Sequence, residues 1–401
     1  MLWGERVTRR RVLLGIIVVF GLVDAAFAFT VLGTDDGRTM SQAVPLHPLV
    51  GTFIPDDTRV EECGDASCFQ QALGNISFRE GPKQAFAAVD VVYGEADSPA
   101  CHRATHFIGA ASFVRYGGSV SRALAEGSPK CWSGYYHGVL ERTFVRVKSY
   151  KPSALAAAAR SLCREAARTM TPWTAYQCIH GLGHGLMIST GLNLPLSLAV
   201  CRRLDRRWDR DACKGGVFME NLSASYGVHS RWLRDDDPLY PCDAVARGDK
   251  RRCYLMVTSR ILPLVGDDWQ RTADTCARVE SDFIAACFRS YGRDASSRNG
   301  RNASESANTC AIARPYGGEG WCIVGASHDI AGNYASGLRA LPLCERVAAN
   351  LRRDCFFGLG AVMGRLRRAT AARIADCRAL VTEPRLVDAC LRGGRSALPR
   401  G

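Results

Sequence analysis

The sequence holds no two cysteines separated by just two residues, although 18 of its 401 positions are cysteine. That absence removes zinc ribbons and thioredoxin-type sites as explanations for so much sulfur. No GxSxG, Walker loop or GxGxxG after a strand occurs, so hydrolase elbows, P-loops and dinucleotide folds lack their signatures. Sustained alternation of Val, Ile and Tyr is missing, which argues against sheets. Lysine is scarce: it supplies six of the 52 basic residues, and arginine the other 46. The arginines are dispersed among acids, as in Arg206-Arg207-Trp208-Asp209-Arg210-Asp211, and no basic block is interleaved with aromatics. The formal charge of +13 therefore describes a solvated, salt-bridged surface and not a nucleic-acid binder.

What the chain does have is a cysteine beat. Cys242, Cys276, Cys310, Cys344 and Cys377 follow one another at 34, 34, 34 and 33 residues, and Cys253, Cys287, Cys322, Cys355 and Cys390 trail them by 11 to 13. A fixed period in the 30s marks stacked helical hairpins. An even number of cysteines without metal spacing predicts disulfides and an oxidising compartment. The N-terminus agrees. Residues 1–11 are basic, with Arg6, Arg9, Arg10 and Arg11, and residues 12–33 are mostly apolar. This order predicts a single-pass anchor with its N-terminus in the cytoplasm and the bulk of the chain outside the cell membrane. Ala26-Phe27-Ala28 offers a competing cleavage site that would give a secreted product. The apolar run continues past it, which favours the uncleaved anchor. Residues 34–60 read as a proline-containing linker, and 61–398 as a helical-repeat ectodomain, His-rich over 61–192 and regularly stapled over 193–398.

Each repeat places its first cysteine near the end of one helix and its second early in the next. Thr382-Glu383-Pro384 shows the turn between them, where proline ends one helix and suits the first turn of another. Two cysteines equidistant from such a turn face each other across the hairpin. The predicted bonds are Cys163–Cys178, Cys201–Cys213, Cys242–Cys253, Cys276–Cys287, Cys310–Cys322, Cys344–Cys355 and Cys377–Cys390. Cys63, Cys68, Cys101 and Cys131 have no hairpin partner; 63–68 with 101–131 is the default pairing, and 63–101 with 68–131 stands open as the alternative. Glycine recurs three residues after the second cysteine, at Gly134, Gly181, Gly216, Gly325, Gly358 and Gly393. Glycine inside a helix costs about 1 kcal/mol against alanine, so its repetition predicts close helix–helix approach. The expected fold class is all-α, a solenoid of eight or nine disulfide-stapled antiparallel hairpins. In period and hairpin cross-linking, residues 61–398 resemble the Sel1-type αα-hairpin repeat proteins. That resemblance implies a fold only; the wider cysteine spacing departs from it and no functional residue carries over.

Chemistry is expected where the beat meets histidine. Five of the eight histidines fall between positions 102 and 184. They supply i,i+4 pairs, His102/His106, His137/Glu141 and His180/His184, which project from one helix face as metal ligands do. Measured from the second cysteine, His137, His184 and His328 occupy the same position of their hairpins, and His106 differs by one. Equivalent positions of a solenoid line one surface. The expected metal set is therefore His102, His106, His137, His180 and His184, binding one or two transition metals, with Zn, Cu, Fe and Mn not distinguished. Glu141 is expected as ligand or general base, and Tyr136 as a hydroxyl for a developing oxyanion. Trp132 and Tyr135 would shape the pocket, with Glu220, His328 and Asp329 as further candidates on the same surface. The competing reading is a non-catalytic scaffold that binds a protein, peptide or glycan on its concave face. Concentration of histidine in the first hairpins favours the metal site.

Overall fold

Thr171 begins a helix because its side chain accepts a hydrogen bond from the Thr174 N–H and Pro172 occupies the first turn. Asp65, Ser98, Asn193, Asp268 and Asn302 cap other helices in the same way. The computed structural model describes residues 49–94, 98–145, 147–223 and 228–398. The expected cytoplasmic segment, anchor and first part of the linker lie outside them. Among the described residues there are nineteen α-helices and no strand, and no helix is long and apolar enough to cross a membrane.

Nine of these helices form an inner row. In chain order they are α1 (Ala66–Arg79), α2 (Pro99–Arg115), α3 (Lys130–Glu141), α4 (Pro172–Ser189), α5 (Arg207–Ser223), α6 (Ile284–Arg298), α7 (Glu319–Tyr334), α8 (Arg352–Leu366) and α9 (Pro384–Ala397). Each packs on the next, except that two short helices, Arg247–Tyr254 and Thr258–Leu264, bridge α5 and α6. The outer layer includes Pro152–Thr169, Leu194–Arg202, Trp269–Ala277, Ala303–Ala311, Leu341–Arg346 and Thr370–Leu380, and each of these carries the first cysteine of a hairpin.

All seven expected hairpin bonds are present. Cys163–Cys178 ties Pro152–Thr169 to α4, and Cys201–Cys213 ties Leu194–Arg202 to α5. Cys276–Cys287, Cys310–Cys322, Cys344–Cys355 and Cys377–Cys390 do the same for α6, α7, α8 and α9. Cα separations in these six are 5.3–6.0 Å. Cys242–Cys253, at 5.2 Å, staples a turn to the short helix Arg247–Tyr254 instead. The structure also pairs Cys63 with Cys68 and Cys101 with Cys131. The Cys101–Cys131 bond links the first turns of two inner helices, α2 and α3, and not the two arms of a hairpin.

The recurrent glycines are where inner helices touch backbone to backbone. A Cβ on Gly216 would overlap the His180 carbonyl oxygen, and one on Gly325 that of Arg289. No side chain fits there without moving a helix. Hairpins whose second cysteine is Cys253 or Cys287 lack this glycine and meet through hydroxyls instead, with Thr258 Oγ1 and Ser290 Oγ 2.6 Å apart. Fully enclosed Tyr135, Tyr254, Tyr291, Phe144, Phe218 and Phe288 fill the space between the layers. Each such side chain contributes about 2–3 kcal/mol by leaving water.

In one respect the structure departs from an open stack. The inner row is weakest at the broken stretch 247–264, and beyond it the C-terminal units fold back onto the histidine-bearing ones. Trp132 N–H donates to Asn333 Oδ1 at 3.0 Å, Trp208 Nε1 donates to the Ala397 carbonyl at 2.9 Å, and the Arg365 guanidinium lies 4.3 Å from the centre of the Tyr176 ring. The inner faces of α3, α4 and α5 are thereby covered by α7, α8 and α9, which is why the histidines end up enclosed.

Candidate metal centre

Helix α4 is buried on almost every side, yet it carries His180 and His184 one turn apart. Its glycines explain how. Gly181 and Gly185 admit the backbone of α3, and Gly183 admits that of α5. The helix is gripped from two sides, and its imidazoles are directed into the remaining gap. On α2 and α3 the same arrangement brings in His102, His106 and His137. All five rings are buried, with exposures of 6% for His102, 1% for His106 and His137, 5% for His180 and 0% for His184.

His137 is the centre of the group. Its ring lies 5.1 Å from that of His102, 5.5 Å from His106 and 5.3 Å from His180, and it stacks on His184 at 4.0 Å. Two triads result, His102/His106/His137 and His137/His180/His184, and within each a ligand atom from every ring lies within 4.8 Å of the others. His137 Nδ1 is enclosed and has no hydrogen-bond partner among the described residues.

The outer nitrogens show which protons these rings carry. His106 Nδ1 is 2.7 Å from Glu141 Oε2, and His184 Nδ1 is 2.9 Å from Glu220 Oε2. His102 Nδ1 is 2.8 Å from the Cys131 carbonyl. Carboxylate and carbonyl oxygens only accept, so in each case Nδ1 carries the proton and donates it. His180 faces the matching carbonyl, that of Ala212, which favours the charged ring, although no well-formed hydrogen bond closes there. The inner nitrogens of His102, His106 and His184 are then bare. His102 and His106 point Nε2 at Nε2 across 3.1 Å, and His180 and His184 do so across 3.4 Å. Two lone pairs at that distance repel unless a cation lies between them. Two imidazole nitrogens bound to one tetrahedral metal at ~2.0–2.1 Å stand about 3.3 Å apart. A nitrogen backed by a carboxylate on the far side of its ring is the usual way a protein fixes a metal-binding histidine.

Protonation is the other way to relieve such a contact, and the surroundings oppose it. Burial, followed by the neighbouring rings, holds His102, His137 and His180 well below the ordinary histidine range. His184 is lowered to about 3, again mainly by burial. These four rings are therefore neutral bases near pH 7, the form that binds metal.

No known protein family matches this chain. No curated protein and no solved structure matches it either. The likeness to Sel1-type repeats accordingly rests on period and cross-linking alone, and the case for the site on its own geometry.

Other expected site residues fall elsewhere. Glu141 shares a helix with His137 but turns to the neighbouring helix, where Oε2 takes His106 and Oε1 lies 3.2 Å from Arg142 Nε. That places it behind a ligand and not among the ligands, with neither oxygen free to act as a base. Tyr136 lies on another face of α3, one residue before His137, where its ring packs so closely on Gly127 that a Cβ there would collide with it. Tyr135 donates its hydroxyl to the Ala123 carbonyl at 2.7 Å and packs on Phe86. Tyr135 therefore offers no hydroxyl toward the imidazoles. Trp132 does border the cluster, 5.8 Å from His102, held by a left-handed turn over Cys131, Trp132 and Ser133 (φ 54, 54 and 61°). The same turn aims the Cys131 carbonyl at His102.

His328 sits beside Arg289 and Arg365, outside the two triads, and Asp329 pairs with Arg301 at 3.4 Å. Equivalence along the repeat did not carry His328 into the cluster, because α7 is separated from α4 in the inner row. Tyr176 is a site residue outside the set expected from the sequence. It precedes His180 by one helical turn, stacks on it at 5.4 Å and belongs to the site's edge; the i,i+4 spacing was the available signal.

Proposed function

We propose that this protein is a membrane-anchored, extracytoplasmic helical-repeat metalloprotein whose five buried histidines hold one or two transition metals. The observation that carries this reading is the pair of Nε2 atoms of His102 and His106, 3.1 Å apart, with both Nδ1 protons committed to acceptors behind them. His137, present in both triads, is the ligand on which either site depends. A set made only of neutral imidazoles leaves a divalent ion its full charge, which suits Zn, Cu, Fe or Mn and supports Lewis-acid or redox chemistry when the metal is bound. The chain's own contribution is to fix the rings. Glu141 and Glu220 set the tautomers of His106 and His184 and raise their basicity. The anchor in residues 12–33 and the outward orientation are part of this proposal, supported by the arginines before the apolar run and by disulfides throughout the body.

The test is elemental analysis of the full chain, extracted in detergent without a histidine tag and refilled in turn with Zn, Cu, Fe and Mn. One or two equivalents are expected, lost in His137→Ala. Absence of stoichiometric metal after every refill would sink the reading.

A further inference from the structure

Facing the histidine cluster from the other half of the inner row is a group of arginines around a further histidine. Arg289 on α6, His328 on α7 and Arg365 on α8 lie close enough that both arginines disfavour protonation of His328. Arg252, from the short helix Arg247–Tyr254, acts on both Arg289 and Arg365. Burial first, then Arg251, Arg252 and Arg365, lowers Arg289 to about 9, so it remains a cation near neutral pH.

Among the described residues, two of these arginines lack a counter-charge. Among the described residues Arg289 has no ion-pair partner, and its Nε is enclosed without a hydrogen bond. Arg365 donates Nε to the Ala397 carbonyl at 3.2 Å and lies over Tyr176, but its Nη1 is enclosed and unpartnered among those residues. The nearby acids are spent. Asp211 is 3.2 Å from Arg252, and Asp329, next to His328, is held by Arg301. Enclosing unpaired guanidinium nitrogens is costly unless an anion joins them. Arg289, Arg365 and His328 are each half-buried as residues, so none of the three is fully sealed from solvent.

We propose that Arg289, Arg365 and Arg252, with His328, form a binding site for a phosphoryl-type dianion. Two unpaired arginines call for two negative charges. Guanidinium forks approaching from separate helices match a tetrahedral oxyanion, whose acceptors point several ways, better than a flat carboxylate with two. The site also has a position. Arg365 lies on Tyr176, which stacks on His180, so a phosphorylated molecule held here extends toward the imidazoles. The substrate class of the proposed metal centre is then a phosphorylated small molecule; this second statement rests on the metal reading, whereas the anion site does not.

Calorimetric titration of inorganic phosphate into the full chain, both metal-loaded and chelator-stripped, tests both. The expected result is saturable binding of one phosphate per chain in both forms, weakened about tenfold or more by Arg365→Gln and by Arg289→Gln, with acetate binding much more weakly. Arg289→Lys keeps the charge and guards against a folding defect; it is expected to fall between wild type and Arg289→Gln. Absence of saturable binding in both forms would overturn the anion site. So would binding that vanishes on stripping and ignores the arginine variants, since phosphate would then be a metal ligand. A chain that holds no metal but still binds phosphate would refute the metal reading and keep the anion site.

Discussion

Helices α2–α5 and α6–α9 are built on one plan and filled with opposite chemistry. Both rows carry a cross-linked cysteine in an early turn and glycines that meet a neighbour's backbone. Both carry an acid seven residues after that cysteine: Glu220 in the first row, Asp294 and Asp329 in the second. Glu220 turns inward and accepts a hydrogen bond from His184 Nδ1. Asp294 is claimed by the Thr258 hydroxyl at 2.7 Å and by Arg293 at 2.8 Å, and Asp329 by Arg301. One interior therefore holds five imidazoles, two of them backed by carboxylates. The other holds guanidinium groups, two of which have enclosed nitrogens without a hydrogen-bond partner among the described residues. A repeat dictates where a side chain starts; the neighbouring helix dictates what it can do.

The comparison breaks most decisively at His137. His137→Ala is expected to remove bound metal, whereas His328→Ala leaves metal content unchanged; equal loss from the two would erase the difference between the rows. The next effect concerns the common scaffold. Gly216→Ala and Gly325→Ala each press a Cβ onto a facing carbonyl and are expected to lower stability by similar amounts, about 1–3 kcal/mol or more. Denaturant midpoints check this, and a harmless substitution in either row would mean that the close approach there is not a requirement. Replacing the carboxylates separates the rows again. Glu220→Gln is expected to weaken metal affinity by about 10–100-fold, as loss of a partner behind a metal-binding histidine does, while Asp329→Asn leaves it unchanged. Competition with a chelator of known affinity reads both.

The last effect is on pH. His102, His137, His180 and His184 have folded values below the ordinary 6.5, so the unfolded chain binds more protons than the folded one in acid. Their contribution to stability is complete above about pH 6.5 and is lost as pH falls, down to about 3 for His184. Each adds a slope of at most about 1.4 kcal/mol per pH unit. The metal-free chain should therefore unfold more readily at pH 5 than at pH 7.5, and His184→Asn should flatten that dependence. A flat profile in the unaltered chain would mean that the imidazoles are charged when folded.

Much of the fold was legible because its determinants are local. The turn at Thr382-Glu383-Pro384 stops one helix and opens another within three residues, and the cysteines on either side need only that turn to meet. Cys163–Cys178 and Cys201–Cys213 follow from the same rule in the histidine-bearing half, as do the other hairpin staples in the rest of the chain. The bond between Cys101 and Cys131 did not, since it joins two inner helices across an intervening segment. At the site, the i,i+4 pairs His102/His106 and His180/His184 were visible because helical geometry alone makes them neighbours. Glu141 was read with His137 for the same reason. The structure instead gives it to His106, 35 positions earlier, because the close packing of α2 on α3 brings that ring nearer.

The sequence by itself determined the helical hairpins, their staples and the register at which histidine and glycine recur, all properties of spacing along one chain segment. Tertiary structure alone decided which histidines share a centre, which acids stand behind them and where the unpaired arginines gather. Those choices depend on contacts between residues as far apart as Trp132 and Asn333, 201 positions from each other. No local period encodes such a contact, because it exists only once the C-terminal units have folded back and water has left the space between.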